Sequence, residues 1–224
     1  DAGGSADAEQ RRAAERQRFT DAFAVHLSAM NPGAAVAEIG GVAYGLFPVA
    51  RADLDGEERA ARAAGAFLAR VGSGLSAVIA IGREARDITG LAQSRVTVER
   101  ILRVLRCGGP LGPVARMADV QTASLLLELG DLMAARGDQP VGPIATLIAH
   151  DAAAGTGLVE TLRTWLDTFG DVAAAANRLF IHPNTLRYRL RRIGEISGLD
   201  LSDPDARFAA MLQMRIAPAA TSSN

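Results

Sequence analysis

The sequence predicts an α+β domain followed by an all-α C-terminal domain, on three observations. The first 120 or so residues alternate helical periodicity with short β-type runs, whereas no strand pattern recurs after Thr122. Glycine and proline clusters at Asn31-Pro-Gly33, Gly40-Gly41, Gly108-Gly-Pro110, Gly137-Asp-Gln-Pro140 and Gly155-Thr-Gly157 separate the patterned segments. The 224 residues are 49% hydrophobic and 22% charged, an ordinary balance for a globular chain with room for one large or two small domains.

The elements follow in order. Asp1 to Asp7 are small, polar and glycine-containing, and predict a disordered start. Ala8 to about Met30 is helical, with Phe19, Phe23, Val25 and Leu27 as buried candidates, and Asn31-Pro-Gly33 stops it. Ala34 to Ala50 predicts a hairpin: Val36, Ala37 and Ile39 precede Gly40-Gly41, and Val42, Tyr44, Leu46 and Phe47 follow. Asp55 caps a helix to about Val71, with Ala64, Phe67 and Leu68 inward. Leu75 to Ile81 predicts a buried strand closed by Gly82. Asp87 to about Arg106 is an amphipathic helix carrying Leu91, Val96, Val98, Ile101, Leu102 and Leu105, and Val114 to Val120 a final short strand. Helices are then expected over Ser124–Arg136, Val141–Ala153 and Leu158–Phe169, the last with Leu162, Trp165 and Leu166 on one face. A helix opened by Asp203-Pro204 runs to about Ile216, and Ala217 to Asn224 form a loose tail.

Between the last two lies the most informative stretch, Asp171 to Arg192. Gly170 ends one helix and Asp171 is a natural N-cap for the next, whose Ala173 to Ala176 let a neighbour approach closely. Leu179, Phe180 and Ile181 are expected to pin the turn into the core. His182 takes the N-cap of a second helix with Pro183 in its first turn, where proline loses no hydrogen bond. At about 100° per residue, Leu186, Leu190 and Ile193 form one narrow stripe, while Asn184, Arg187, Tyr188 and Arg191 lie opposite, Arg192 at the edge and Arg189 toward the core flank. This is the layout of a helix-turn-helix whose second helix enters the DNA major groove.

Charge sharpens that reading. The net charge is −1 and all 24 basic residues are arginine, which with the heavy use of alanine points to a GC-rich, bacterial coding sequence. DNA contact must therefore come from a local patch. No acidic residue stands between Asp171 and Glu195, whereas Arg178, Arg187, Arg189, Arg191 and Arg192 all do. Arginine can bridge guanine and asparagine can bridge adenine, while tyrosine and threonine hydroxyls reach phosphates. A solvated arginine-rich helix is the plain alternative, but cap, corner, stripe and acid-free face agree with one another.

The string Leu179-Phe-Ile-His-Pro-Asn-Thr-Leu-Arg-Tyr-Arg-Leu190, with Thr161-Leu162, Trp165-Leu166 and Gly198-Leu-Asp-Leu-Ser-Asp-Pro204, resembles the C-terminal Fis-like helix-turn-helix of the PucR/CdaR-like bacterial transcriptional regulators. The resemblance covers roughly Val141 to Ile216. It implies a degenerate GGDEF-like domain in front, and Glu38-Ile-Gly-Gly-Val-Ala-Tyr-Gly-Leu-Phe-Pro48 and Ala77-Val-Ile-Ala-Ile-Gly82 resemble segments of that fold. Val42-Ala43-Tyr44 stand where a diguanylate cyclase has acidic metal ligands, so no cyclase activity is expected. The first strand of that domain is expected to lie before Asp1, and the chain to be a fragment of a longer protein.

The expected organisation is an N-terminal tail and helix over 1–33, the degenerate GGDEF-like α+β domain over 34–120, a helical linker over 121–156, the helix-turn-helix domain over 157–216 and a disordered tail over 217–224. The expected function is sequence-specific DNA binding in transcription, which the resemblance inclines toward activation. Asn184, Arg187, Tyr188 and Arg191 are assigned to bases, and His182, Thr185 and Arg192 to the backbone or the helix start. The expected partners are double-stranded DNA and a second copy in a homo-dimer or higher oligomer, with room for an effector molecule of unidentified chemistry. No cofactor, metal or membrane is expected, and the location is cytoplasmic. The competing readings are a nucleotide-binding enzyme and a protein-interaction module that grips an acidic partner without binding DNA.

Other residues carry less. The glycines at Ser73-Gly-Leu-Ser and Gly108–Gly112 do not fit a phosphate loop. His26 and His150 are expected to be packed or surface side chains, Trp165 core, and the single Cys107 a spectator thiol.

Overall fold

The computed structural model describes residues 2–49, 55–71, 77–108 and 112–216. The expectations for Leu75, for Gly109-Pro110 and for the 217–224 tail lie outside the described residues. The chain divides into two compact units, Asp1–Ser124 and Leu125–Asn224. Each is mostly helical, with small sheets confined to the first.

In the first unit, α1 (Ala2–Met30) is followed by the hairpin β1 (Ala35–Ile39) and β2 (Val42–Leu46). The strands pair antiparallel with Ile39 opposite Val42, so Gly40-Gly41 is a two-residue connection. Both glycines have positive φ, 60° and 77°, which the right-handed twist of a tight hairpin demands and which a side chain would resist. The hairpin lies against α1 closely enough that a Cβ at Gly45 would stand 2.6 Å from Leu27 Cδ1. Phe19 and Phe23 of α1 meet Phe67 of α2 (Gly56–Val71), with ring centroids 5.3 and 5.2 Å apart. Buried His26 completes that cluster. Its Nε2 lies 3.1 Å from Ala63 O, which can only accept, so Nε2 carries the hydrogen. β3 (Ile79–Ile81), α3 (Ile88–Arg106) and β4 (Val114–Arg116) form a β-α-β unit with the strands parallel. Asp87 caps α3 by accepting from Gly90 N at 2.7 Å.

Several local expectations are corrected here. The helix begins at Ala2, not after Asp7. Val25 is 71% exposed, because Phe19, Phe23 and Leu27 already occupy the face toward the hairpin and α2. The strand expected to be buried over 75–81 is three residues long and only half-buried. Leu91 and Val96 of α3 point to solvent and Val104 is buried in their place. Residues 117–120 are helical: α4 (Met117–Arg136) starts seven residues before Ser124. Its start is held by the Asp119 carboxylate, which accepts from Arg116 N at 2.8 Å, the backward-reaching half of a capping box.

The second unit contains the end of α4, α5 (Pro143–Ala154), α6 (Leu158–Asp167), α7 (Val172–Arg178), α8 (Pro183–Ser197) and α9 (Pro204–Ile216). One core joins α5 through α9, with Leu147, Leu162, Leu186 and Ile193 sealed from solvent. Each such side chain contributes roughly 1.5–3 kcal/mol by burial. The segment expected to be a linker is thus partly core, since α5 supplies Ile144 and Leu147.

Candidate nucleic-acid interface

The site is built from α6, α7 and α8. α6 has glycine at its N-cap and no side-chain cap of its own. Instead Asp151, near the end of α5, accepts from Leu158 N at 3.0 Å, from Val159 N at 2.7 Å and from the Thr156 hydroxyl. Burial opposes ionisation of this carboxyl, but the bonds from Thr156, Val159 and Leu158 outweigh it and hold its pKa below the ordinary 3.8. At the other end of α6, Gly170 (φ 84°) donates back to Trp165 O at 3.0 Å and closes the helix. A Cβ at Gly170 would approach the Trp165 ring to 3.3 Å.

Asp171 then caps α7, its Oδ1 accepting from Ala173 N at 2.8 Å and Ala174 N at 3.0 Å. Ala175 and Ala176 are fully buried, and their small size lets α7 approach α8. In the turn, Leu179 and Ile181 pack on the core but Phe180 does not: it is 95% exposed. The expectation that all three pin the turn is corrected. Phe180 has φ 54°, and this left-handed residue swings its ring out while its neighbours point in.

His182 caps α8 with Nδ1 accepting from Asn184 N at 3.2 Å, followed by Pro183 in the first turn. Along α8, Leu186 and Ile193 are sealed and Leu190 is half-buried, as the wheel requires. Arg189 leans back: its Nη1 donates to Thr161 Oγ1 at 3.2 Å, and Thr161 is itself fully buried. His182, Asn184, Thr185, Arg187, Tyr188, Arg191 and Arg192 are all exposed. Within that set Arg187 Nη1 donates to Asn184 Oδ1 at 2.9 Å, while Arg192 pairs with Glu195 at 3.0 Å. Glu195 therefore offsets the charge at one edge of the cationic surface, and its i,i+3 spacing from Arg192 was visible in the sequence. The capping role of Asp151 and the bond from Arg189 to Thr161 are not legible in the sequence, because the partners lie on other elements. The described residues hold no group of three or more His, Cys, Asp or Glu arranged for a metal, and no helix long and apolar enough to cross a membrane.

Residues 158–216, which run from the first residue of α6 to the last of α9, match the family model of the PucR C-terminal helix-turn-helix domain. This chain carries a PucR-type helix-turn-helix domain. An uncharacterized protein of Mycobacterium tuberculosis is 51% identical over 53 residues, covering 24% of this chain and 13% of that protein. The proline-responsive transcriptional activator PutR of Bacillus subtilis is 38% identical over 73 residues, 33% of this chain and 18% of PutR. The match thus spans less than a fifth of either relative's length. A crystal structure of a regulator of polyketide synthase expression from Bifidobacterium adolescentis overlaps 87% of this chain and 72% of its own, at TM-score 0.37 and 20% identity.

Proposed function

We propose that this chain is a DNA-binding transcriptional regulator that lays α8 of its PucR-type domain in the major groove. The observation that carries the reading is the split of α8 into a sealed apolar stripe, Leu186 and Ile193, and an exposed outer face of Asn184, Arg187, Tyr188 and Arg191. That face lies in an acid-free stretch of a chain with net charge −1. In this reading Asn184, Arg187, Tyr188 and Arg191 meet base edges. His182 and Thr185 hold the helix start against the phosphates, and Arg192, shared with Glu195, contributes at the rim. PutR, 38% identical over 73 residues, is named an activator, and activation is the direction we assign here.

One helix-turn-helix reads few base pairs, so the working species in this reading is a homo-dimer on two half-sites. The first unit is read as a degenerate GGDEF-like domain, supported by the Gly40-Gly41 hairpin and by the parallel β3–β4 pair around α3. Its cavity of about 1160 Å³, lined in part by Phe19, Phe23, Tyr44, Val98 and Leu102, is the place assigned to a small-molecule effector. No catalytic role is proposed for it, since Val42-Ala43-Tyr44 offer no carboxylate to a metal.

The experiment is selection of bound sequences from a random duplex pool, followed by titration at several salt concentrations. The reading requires an enriched motif and affinity that falls steeply with salt. Binding to an acidic polypeptide with no preference among duplexes would overturn it in favour of a protein-interaction module.

A further inference from the structure

The contact between Arg187 and Asn184 bears on which base α8 prefers. Arg187 Nη1 donates to Asn184 Oδ1 at 2.9 Å. A guanidinium has donors and no acceptor, so the amide atom facing it must be the carbonyl oxygen. Asn184 is held from behind as well, since its backbone N–H donates to His182 Nδ1. Asn184 Oδ1 has two lone pairs, and with one engaged by the Arg187 guanidinium an adenine N6 amino group would have to share that oxygen with a cation. To bridge adenine an asparagine needs both a free acceptor for N6 and a free donor for N7. Guanine shows two acceptors, O6 and N7, which suit a surface made of donors. Holding the guanidinium before binding also reduces the side-chain freedom that arginine would lose on the DNA.

We propose that Asn184 and Arg187 act as one guanine-reading unit, in which Arg187 contacts the base and Asn184 is a positioning residue for its guanidinium. This replaces an independent adenine contact by Asn184, and it rests on α8 being the recognition helix.

The test is selection from a random duplex pool with the wild-type chain, Arg187→Ala, Asn184→Ala, Asn184→Asp and the double alanine variant. Arg187→Ala is expected to erase a guanine preference at one base pair by at least about fivefold. Asn184→Ala should weaken the preference at that same base pair, by about two- to threefold, and the double variant should be no worse than Arg187→Ala alone. Asn184→Asp, whose carboxylate still accepts from Arg187, should lower affinity for all duplexes alike but keep the guanine preference. Loss of an adenine preference at a different base pair in Asn184→Ala, with the guanine preference intact, would overturn this proposal and leave the proposed function standing. A wild-type chain that enriches no sequence and binds duplex DNA without salt dependence would overturn the function itself.

Discussion

Arg189 gives the sharpest separation between a structural and a reading role for the arginines of α8. It is one of three arginines within five residues, Arg187, Arg189 and Arg191, and composition cannot tell them apart. In the fold its Nη1 donates to Thr161 Oγ1, which is sealed from solvent and whose own proton goes to Gly157 O at 2.7 Å. Replacing Arg189 with methionine keeps much of the side-chain volume and leaves the Thr161 proton satisfied, so the loss is one charge-assisted bond at a half-buried site. Such bonds contribute about 1.5–3 kcal/mol, and solvent at Arg189 reduces this toward about 1–2 kcal/mol. For a unit of this size that is a fall in Tm of roughly 4–8 °C per kcal/mol. The assay is thermal unfolding of Arg189→Met beside Arg191→Ala, with both variants then taken through duplex selection. Arg189→Met should lose stability and keep the wild-type motif. An unchanged Tm together with a lost base preference would refute the assignment of Arg189 to the core.

The remaining predictions concern base contact, capping, acid and the turn. Arg191→Ala should leave the unfolding free energy within about 0.5 kcal/mol of wild type yet relax one base preference by about 1–3 kcal/mol, read by competition binding. Asp171→Ala should cost about 1 kcal/mol in denaturant unfolding and Asp171→Asn much less, because a seven-residue helix such as α7 cannot hold its first turn without a cap. Asp151, with its pKa depressed in the folded state, contributes stability that is present above the unfolded value and lost as pH falls through the folded one. Melting of Asp151→Asn should therefore be less stable than wild type at neutral pH, with the gap closing below about pH 4. A gap that is constant with pH would show that the carboxyl does not cap α6 as an anion. Phe180→Gly should raise stability by about 0.5–1 kcal/mol in the same assay, since glycine adopts the left-handed φ freely and almost none of the exposed ring packs on the chain. A destabilised Phe180→Gly would mean that the ring is buried against a partner.

The caps and the apolar stripe of the helix-turn-helix were legible in the sequence because what defines them is local. The Asp171 and His182 caps bond amides two or three residues on, Gly170 closes the helix just behind it, and the α8 stripe follows from 3.6 residues per turn. The Gly40-Gly41 hairpin was legible for the same reason, its turn type depending on two φ angles. The outer face was therefore nameable from spacing alone, including the backward lean of Arg189.

Other features depended on contacts distant in the chain or on a residue's backbone state. Val25, Leu91 and Val96 are apolar at plausible helical positions, yet which face of α1 or α3 is covered depends on what packs there, and other residues took those places. Phe180 was read as core because hydrophobicity says nothing of its φ, and a left-handed backbone reversed the direction of the ring. Within 121–156, expected as a helical linker, α5 places Ile144 and Leu147 in the core, against partners on α6, α8 and α9 that no local pattern names. Asp151 and Thr161 gained their roles from amides and a guanidinium brought in by folding. Periodicity and capping are short-range and could be read along the chain, whereas burial and cross-element hydrogen bonds exist only once the helices have met.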